Sequence, residues 1–186
     1  MKKWLAKIIY PEIFRKCDYL NEANERLKKM KSDSVSQLRK SEKIIESLNE
    51  IISRGYYIFN IDETKSRNNK GEKVILYGLK NDDDVEINVI SPYRNYKYLT
   101  LYAEINAKDK SVYIVDIQSS EENANRGYGT LAMESLIHLI KRKGIKRVWG
   151  RISSVDANHY DRLAHFYKKV GFNVDMNKMR IELTLK

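Results

Sequence analysis

Asn125 to Gly144, NRGYGTLAMESLIHLIKRKG, is the stretch whose reading decides the fold. It opens on Arg126-Gly127-Tyr128-Gly129-Thr130, runs into an apolar-periodic helix and closes on Lys141-Arg142-Lys143-Gly144. The physics of such a junction is anion binding. Glycines let the backbone approach a ligand, and the first-turn N–H groups of a helix lack intrahelical partners. The helix dipole favours negative charge at that end, and Arg126 adds a full positive charge. Taken alone, the same residues also fit an ordinary strand-to-helix turn.

The flanks narrow the reading. Ser111 to Gln118 (SVYIVDIQ) is rich in β-branched and aromatic residues and reads as a strand. Lys146 to Ile152 (KRVWGRI) reads as another, followed by a helix over Asp156 to Val170 that ends on Gly171-Phe172. A dinucleotide site would need G-x-G-x-x-G with an acidic residue about twenty positions on, and a P-loop would need G-K-[S/T]. Gly129 is followed by Thr130-Leu131, so both nucleotide folds are disfavoured.

With this order of elements the chain resembles the GNAT family of acetyl-coenzyme A-dependent N-acetyltransferases. Arg126-Gly127-Tyr128-Gly129 is similar to the family's R/Q-x-x-G-x-G/A pyrophosphate loop, with Leu131 in its last small position. Ala164-His165-Phe166-Tyr167-Lys168-Lys169-Val170-Gly171-Phe172 is similar to its A-x-x-x-Y-x-x-x-G-F helix ending. The family's helix Asn has no match at its usual place, which is Tyr160, and Asn158 is the nearest stand-in. The resemblance implies an α+β fold, a mixed, mostly antiparallel central sheet flanked by helices. It implies acetyl-coenzyme A as co-substrate and no metal. An acceptor amine, on a small molecule or a protein, would attack the thioester directly, with orientation and oxyanion donors as the enzyme's main contributions. Arg126 and the N–H groups of Gly127, Tyr128, Gly129 and Thr130 would hold the pyrophosphate. Backbone near Ile117 and Gln118 would pair with the pantetheine arm, and Asn158 would add a cofactor contact. Tyr167 would protonate the leaving thiolate, its alternative role being to pack the helix on the sheet. Asp116 and Glu104 are strand carboxylates placed to act as base, and each fits a surface charge equally well.

Composition sets the outer limits. With 186 residues, 42% of them hydrophobic, the chain suits one globular domain with an appendage. Cys17 is the only cysteine, which excludes an intrachain disulfide framework and suits a reducing cytoplasm. The three histidines form no ligand motif. A formal charge of +10 invites a nucleic-acid reading, but the lysines are interleaved with acids and no nucleic-acid motif accompanies them. Met1 to Tyr10 (MKKWLAKIIY) is too short and too interrupted for a membrane span or a signal peptide and reads as an amphipathic surface segment.

From Pro11, Leu20, Ala23, Leu27 and Met30 recur at helical spacing, then Ser32-Asp33-Ser34 interrupts. Ser34 with Gln37 fits a capping box, and Leu38, Ile45, Leu48 and Ile52 continue the stripe to Gly55. A helical hairpin or an extended coiled-coil-like arm follows, with a homodimer among the partners that would bury its stripe. The expected division is residues 1–54 for this helical extension and 55–186 for the catalytic domain. Tyr56 to Ile61, Lys73 to Leu79, Val85 to Ile90 and Tyr98 to Ile105 read as strands of an antiparallel meander with no helix among them. A turn is expected over Ser66 to Gly71. Asn173 to Met176 and Lys178 to Leu185 read as a closing antiparallel pair, with Arg180 to Thr184 as an edge strand. Two other functions stand beside the enzyme: a non-catalytic acyl-coenzyme A-binding module, and a basic nucleic-acid-associated protein that dimerises through its arm.

Overall fold

The computed structural model describes residues 10–64, 71–94, 96–153 and 158–185. The N-terminal segment up to Ile9, the expected turn at Ser66 to Lys70 and the expected helix start at Asp156 lie outside the described residues. The chain divides into two compact units, Met1–Ile45 and Glu46–Lys186.

Helix α1 (Pro11–Ser53) runs for 43 residues without a break, so of the two expected forms the extended arm is the one found and the hairpin is corrected. The reason is local. Ser32-Asp33-Ser34 holds neither Gly nor Pro, and three residues of modest propensity cost less than interrupting a long run of Lys, Glu, Leu and Arg. Pairs one turn apart support the exposed faces, Arg26 with Glu22 at 3.6 Å and Lys28 with Glu25 at 2.7 Å. The helix ends at Gly55, whose φ of 82° is left-handed. The Tyr56 N–H reaches back to the Ile51 carbonyl (3.2 Å) and the Gly55 N–H to that of Ile52 (2.9 Å), a Schellman ending.

In the second unit, Ile51 is buried and the Ser47 hydroxyl donates to the Pro92 carbonyl at 3.1 Å, so the last turns of α1 are rooted on the sheet. The sheet has eight strands: β1 (Tyr57–Glu63), β2 (Lys73–Gly78), β3 (Asp84–Ile90), β4 (Lys97–Asn106), β5 (Ser111–Ser119), β6 (Arg147–Arg151), β7 (Asn173–Asp175) and β8 (Arg180–Thr184). Their order is β1-β2-β3-β4-β5-β6-β8-β7, with only β5 and β6 parallel. That parallel pair is the one that needs a crossover, and α2 (Tyr128–Arg142) supplies it. Helix α3 (Tyr160–Lys169) joins β6 to β7. No helix interrupts β1 to β5 among the described residues, as the strand pattern predicts. β8 is not an edge strand: it lies between β6 and β7, and three-residue β7 is the edge. Its polar–apolar alternation instead records a strand that turns one face, Ile181 and Leu183, to the core.

That buried face is set by alternation. On β4, Leu99, Leu101, Ala103 and Ile105 turn inward, and β3 matches them with Val85, Ile87 and Val89. α2 contributes Leu131, Ala132, Leu136 and Ile140 at helical spacing to the same cluster, together with Tyr167 and Phe172 from the end of α3.

Candidate active site

The strand that leads into the Gly-rich loop is opened by two features. The β5–β6 ladder stops at Ile114↔Gly150, although β5 continues to Ser119. A register shift between Tyr102 and Ala103 on β4 leaves Val115 as the extra residue of a β-bulge. From there Val115 (47%), Asp116, Gln118 and Ser119 are exposed and Ile117 is half-buried, and the β6-side backbone edge has no strand partner among the described residues. Ile117 and Gln118 lie on this opened half, paired on their other side to Leu101 and Thr100.

The loop follows a 3₁₀ turn (Glu121–Asn123). Asn125 (φ 60°) and Gly127 (φ 91°) are left-handed on either side of Arg126, an alternation that turns successive N–H groups into one concavity. Gly127 is the N-cap of α2 and no side chain caps the helix. The Leu131 N–H closes the first bond onto the Gly127 carbonyl, which leaves the N–H groups of Tyr128, Gly129 and Thr130 without a hydrogen-bond partner among the described residues. Arg126 is exposed at the mouth.

Tyr128 plays a different part from its neighbours. Its ring is 2% exposed and stacks on Tyr98, with centroids 4.4 Å apart and planes 3° from parallel. Both hydroxyls donate to Glu72, that of Tyr128 at 2.8 Å and that of Tyr98 to the other oxygen. Thus only the backbone of Tyr128 faces an incoming anion, and its side chain bolts the loop to the residues before β2. Nothing local in the sequence signals the partnership of Glu72, which lies 56 positions away. Burial, then the Glu72 carboxylate, push the Tyr128 phenol far above its ordinary range, and the same two causes raise Tyr98. A raised phenol pKa stabilises the fold fully below the ordinary value near 10 and loses that contribution as pH climbs above it. Tyr128→Phe is therefore expected to cost about 1–2 kcal/mol at pH 7. The gap from the wild type should narrow above pH 10, as followed by urea unfolding across pH 7–11.

Helix α3 closes the other side. A Cβ on Gly129 would come 3.1 Å from the Phe166 ring and 3.8 Å from Leu99, so α3 packs directly over the start of α2. The next residue, Tyr167, is 8% exposed, with its ring 4.9 Å from that of Phe166 and 5.6 Å from that of Phe172. Asn158 is exposed in the turn before α3, beside His159, whose Nε2 lies 3.5 Å from Glu121 in the turn after β5. The start of α3 thus meets the entry to the loop, and Asn158 stands at that junction.

The two carboxylates predicted from sequence lie on the opposite face of the sheet from α2. Asp116 pairs across to Tyr102 and Glu104 to Tyr113, one diagonal step apart. Asp116 accepts from the Ile117 N–H (2.8 Å) and the Gln118 side chain (2.9 Å). Glu104 lines a cavity of about 660 Å³ together with Asp83, Asp84, Asp109, Trp149 and two basic residues, Lys108 and Arg147. This cavity had no signature in the sequence, because it is assembled from β3, β4, β5 and β6. No His, Cys, Asp and Glu cluster fit to hold a metal occurs among the described residues, and no described helix is long and apolar enough to cross a membrane.

A strand edge opened beside an uncapped helix start, with a tyrosine-bearing helix packed over it, is the arrangement that the sequence resemblance implies. The model of the acetyltransferase (GNAT) family matches residues 56–172, well over half of the chain, and the protein belongs to that family. The uncharacterized protein YocC of Bacillus subtilis (strain 168) is 39% identical over 67 residues, 36% of this chain and 39% of that protein. The match thus spans about two fifths of that relative's length. Among solved structures, the cAMP-binding acyltransferase from Mycobacterium smegmatis superposes with a TM-score of 0.51 at 12% identity, over 69% of this chain and 48% of that one. The PaiA N-acetyltransferase from Thermoplasma acidophilum, in complex with coenzyme A, gives a TM-score of 0.46 at 16% identity, over 55% and 62%. At such identities the likeness is one of fold. Membership of the family supports acyl-coenzyme A-dependent acetyl transfer at the general level.

Proposed function

We propose that this protein transfers an acetyl group from acetyl-coenzyme A to an amine by direct attack on the thioester. The observation that carries the reading is the uncapped start of α2, where three N–H groups without a partner among the described residues follow Arg126 at the end of an opened strand. Pyrophosphate suits those donors, and pantetheine, an extended chain of amides, suits the free edge of β5 at Ile117 and Gln118. In this reading Asn158 contacts the cofactor from the α3 side. When bound, the coenzyme supplies the thioester carbonyl.

The chain's own residues then set geometry and protons. Donors on the β5 edge orient the carbonyl and stabilise its developing negative charge. Tyr167 donates its hydroxyl proton to the departing thiolate. Asp116 or Glu104 takes the proton from the acceptor ammonium, directly or through water. In the cavity around Glu104 four carboxylates, Asp83, Asp84, Glu104 and Asp109, outnumber Lys108 and Arg147, which favours an acceptor that arrives as a cation, whether a small molecule or an exposed protein amine. The lone Cys17 fits work in the cytoplasm.

Calorimetric titration of the full chain with acetyl-coenzyme A tests the reading. Micromolar binding is expected, weakened at least tenfold by Arg126→Ala through the loss of a charge-assisted phosphate contact. A folded wild-type protein that shows no binding would overturn it.

A further inference from the structure

The large apolar side chains left exposed on α1 follow a rule. The aliphatic ones, Ile13, Leu20, Leu27, Met30, Val35, Leu38, Ile45 and Ile52, are each between 40% and 65% exposed, while the aromatic Tyr19 (71%) lies outside the pattern. They are symmetric about the peptide between Ser32 and Asp33: Ile13 matches Ile52, Leu20 matches Ile45, Leu27 matches Leu38 and Met30 matches Val35, each pair equidistant from that point. Six of them, all but Met30 and Val35, fall within an arc of about 60° on a helix of 3.6 residues per turn. Each half repeats every seven residues, and an eleven-residue step from Leu27 to Leu38 keeps the two halves on one face. Ile51 and Ser47, which root the helix in its own domain, point away from this row.

From this we infer that α1 is the interface of an antiparallel homodimer, with a twofold axis passing beside Ser32 and Asp33. Rotation about that axis lays the row onto its own reversed copy, Leu27 of each chain on Leu38 of its partner. Antiparallel coiled coils meet in such mixed layers, and an isologous interface demands such self-complementarity. Charge selects the direction. In a parallel, in-register pair, Arg26, Lys28, Lys29 and Lys31 would sit level with their own copies. In the antiparallel pair, Lys28, Lys29 and Lys31 stand level with Gln37, Ser36 and Ser34. Glu22 and Glu25 come level with Lys43 and Lys40, and Arg26 with Arg39 is the one like-charged level among these. Two polar layers, Lys16 with Asn49 and Ala23 with Glu42, fix register at some cost in stability.

The single cysteine makes the test direct. Cys17 is exposed on this helix, and a spin label there reports the distance to the same residue of the partner. Antiparallel pairing places the two Cys17 levels about 46 Å apart at 1.5 Å per residue. A parallel pair would bring them to roughly 10 Å. The expected result is a double electron–electron resonance peak of about 45–50 Å from a species with twice the 21.9 kDa chain mass in light scattering. A peak below about 20 Å, or monomer mass without dipolar coupling, overturns the inference. Charge variants supply a second test. Leu27→Glu and Leu38→Lys should each be monomeric, and their equimolar mixture should restore a dimer, because Leu27→Glu in one chain meets Leu38→Lys in the other. A parallel pair gains nothing from mixing. Both positions are more than 60% exposed, so each variant keeps its helix and its domain.

Discussion

Gly129→Asp is expected to weaken acetyl-coenzyme A binding by about 100-fold or more, the largest change in affinity available from one substitution in the loop. Two effects act together. The new carboxylate sits among N–H groups that would otherwise serve the pyrophosphate. At a few ångströms and an effective dielectric near 20, like charges repel by several kcal/mol, and each ~1.4 kcal/mol is tenfold in affinity. The added side chain also presses on the Phe166 ring, 3.1 Å from the new Cβ. Gly129→Ala separates the two: it keeps the steric push, which Phe166 relieves by a shift of tenths of an ångström, and should cost less than about tenfold. Calorimetry on both variants, with melting temperature as a folding control, checks this. If Gly129→Asp bound the cofactor as the wild type does, the pyrophosphate would have to lie elsewhere.

The second large effect belongs to Tyr167. Tyr167→Phe should lower kcat by on the order of 10²–10⁴-fold, the usual contribution of a positioned general acid. Its Kd for acetyl-coenzyme A should stay within about twofold. The ring packs between Phe166 and Phe172 and the substitution preserves its volume, so stability should fall by no more than about 1 kcal/mol. Single-turnover kinetics with an amine acceptor found by screening reads the chemical step alone. An unchanged rate would assign Tyr167 to packing. A fall in kcat with unchanged affinity is what an acid role requires.

Both experiments bear on residues that sequence motifs pointed to, and the structure explains why these were legible. The loop and the α3 ending are local: glycine positions, helix ends and apolar spacing act within a few residues of one another. The meander, too, could be read from alternation, and β2 to β5 lie close to the predicted bounds. Errors arose where local rules are weak. Ser32-Asp33-Ser34 resembles a cap, yet capping side chains end a helix only when the backbone also departs from helical geometry. The alternation of Arg180 to Thr184 shows that one face of β8 is buried, but carries no information on how many neighbours the strand has.

The sequence by itself determined the order of strands and helices, the glycine-rich entry to α2, the tyrosine on α3 and the row of apolar residues along α1. Each depends on covalent neighbours and on periods of two or 3.6 residues. Only the tertiary structure decided where the β5–β6 ladder stops, that Glu72 holds Tyr128 and Tyr98 behind the loop, and that Glu104 lies in an acidic cavity while Asp116 is tied to Gln118. Those features join segments distant in sequence, and their positions follow from strand register and the bulge at Val115. One residue of register turns every side chain to the other face, so the chemistry of the site passes through pairing that no local pattern encodes.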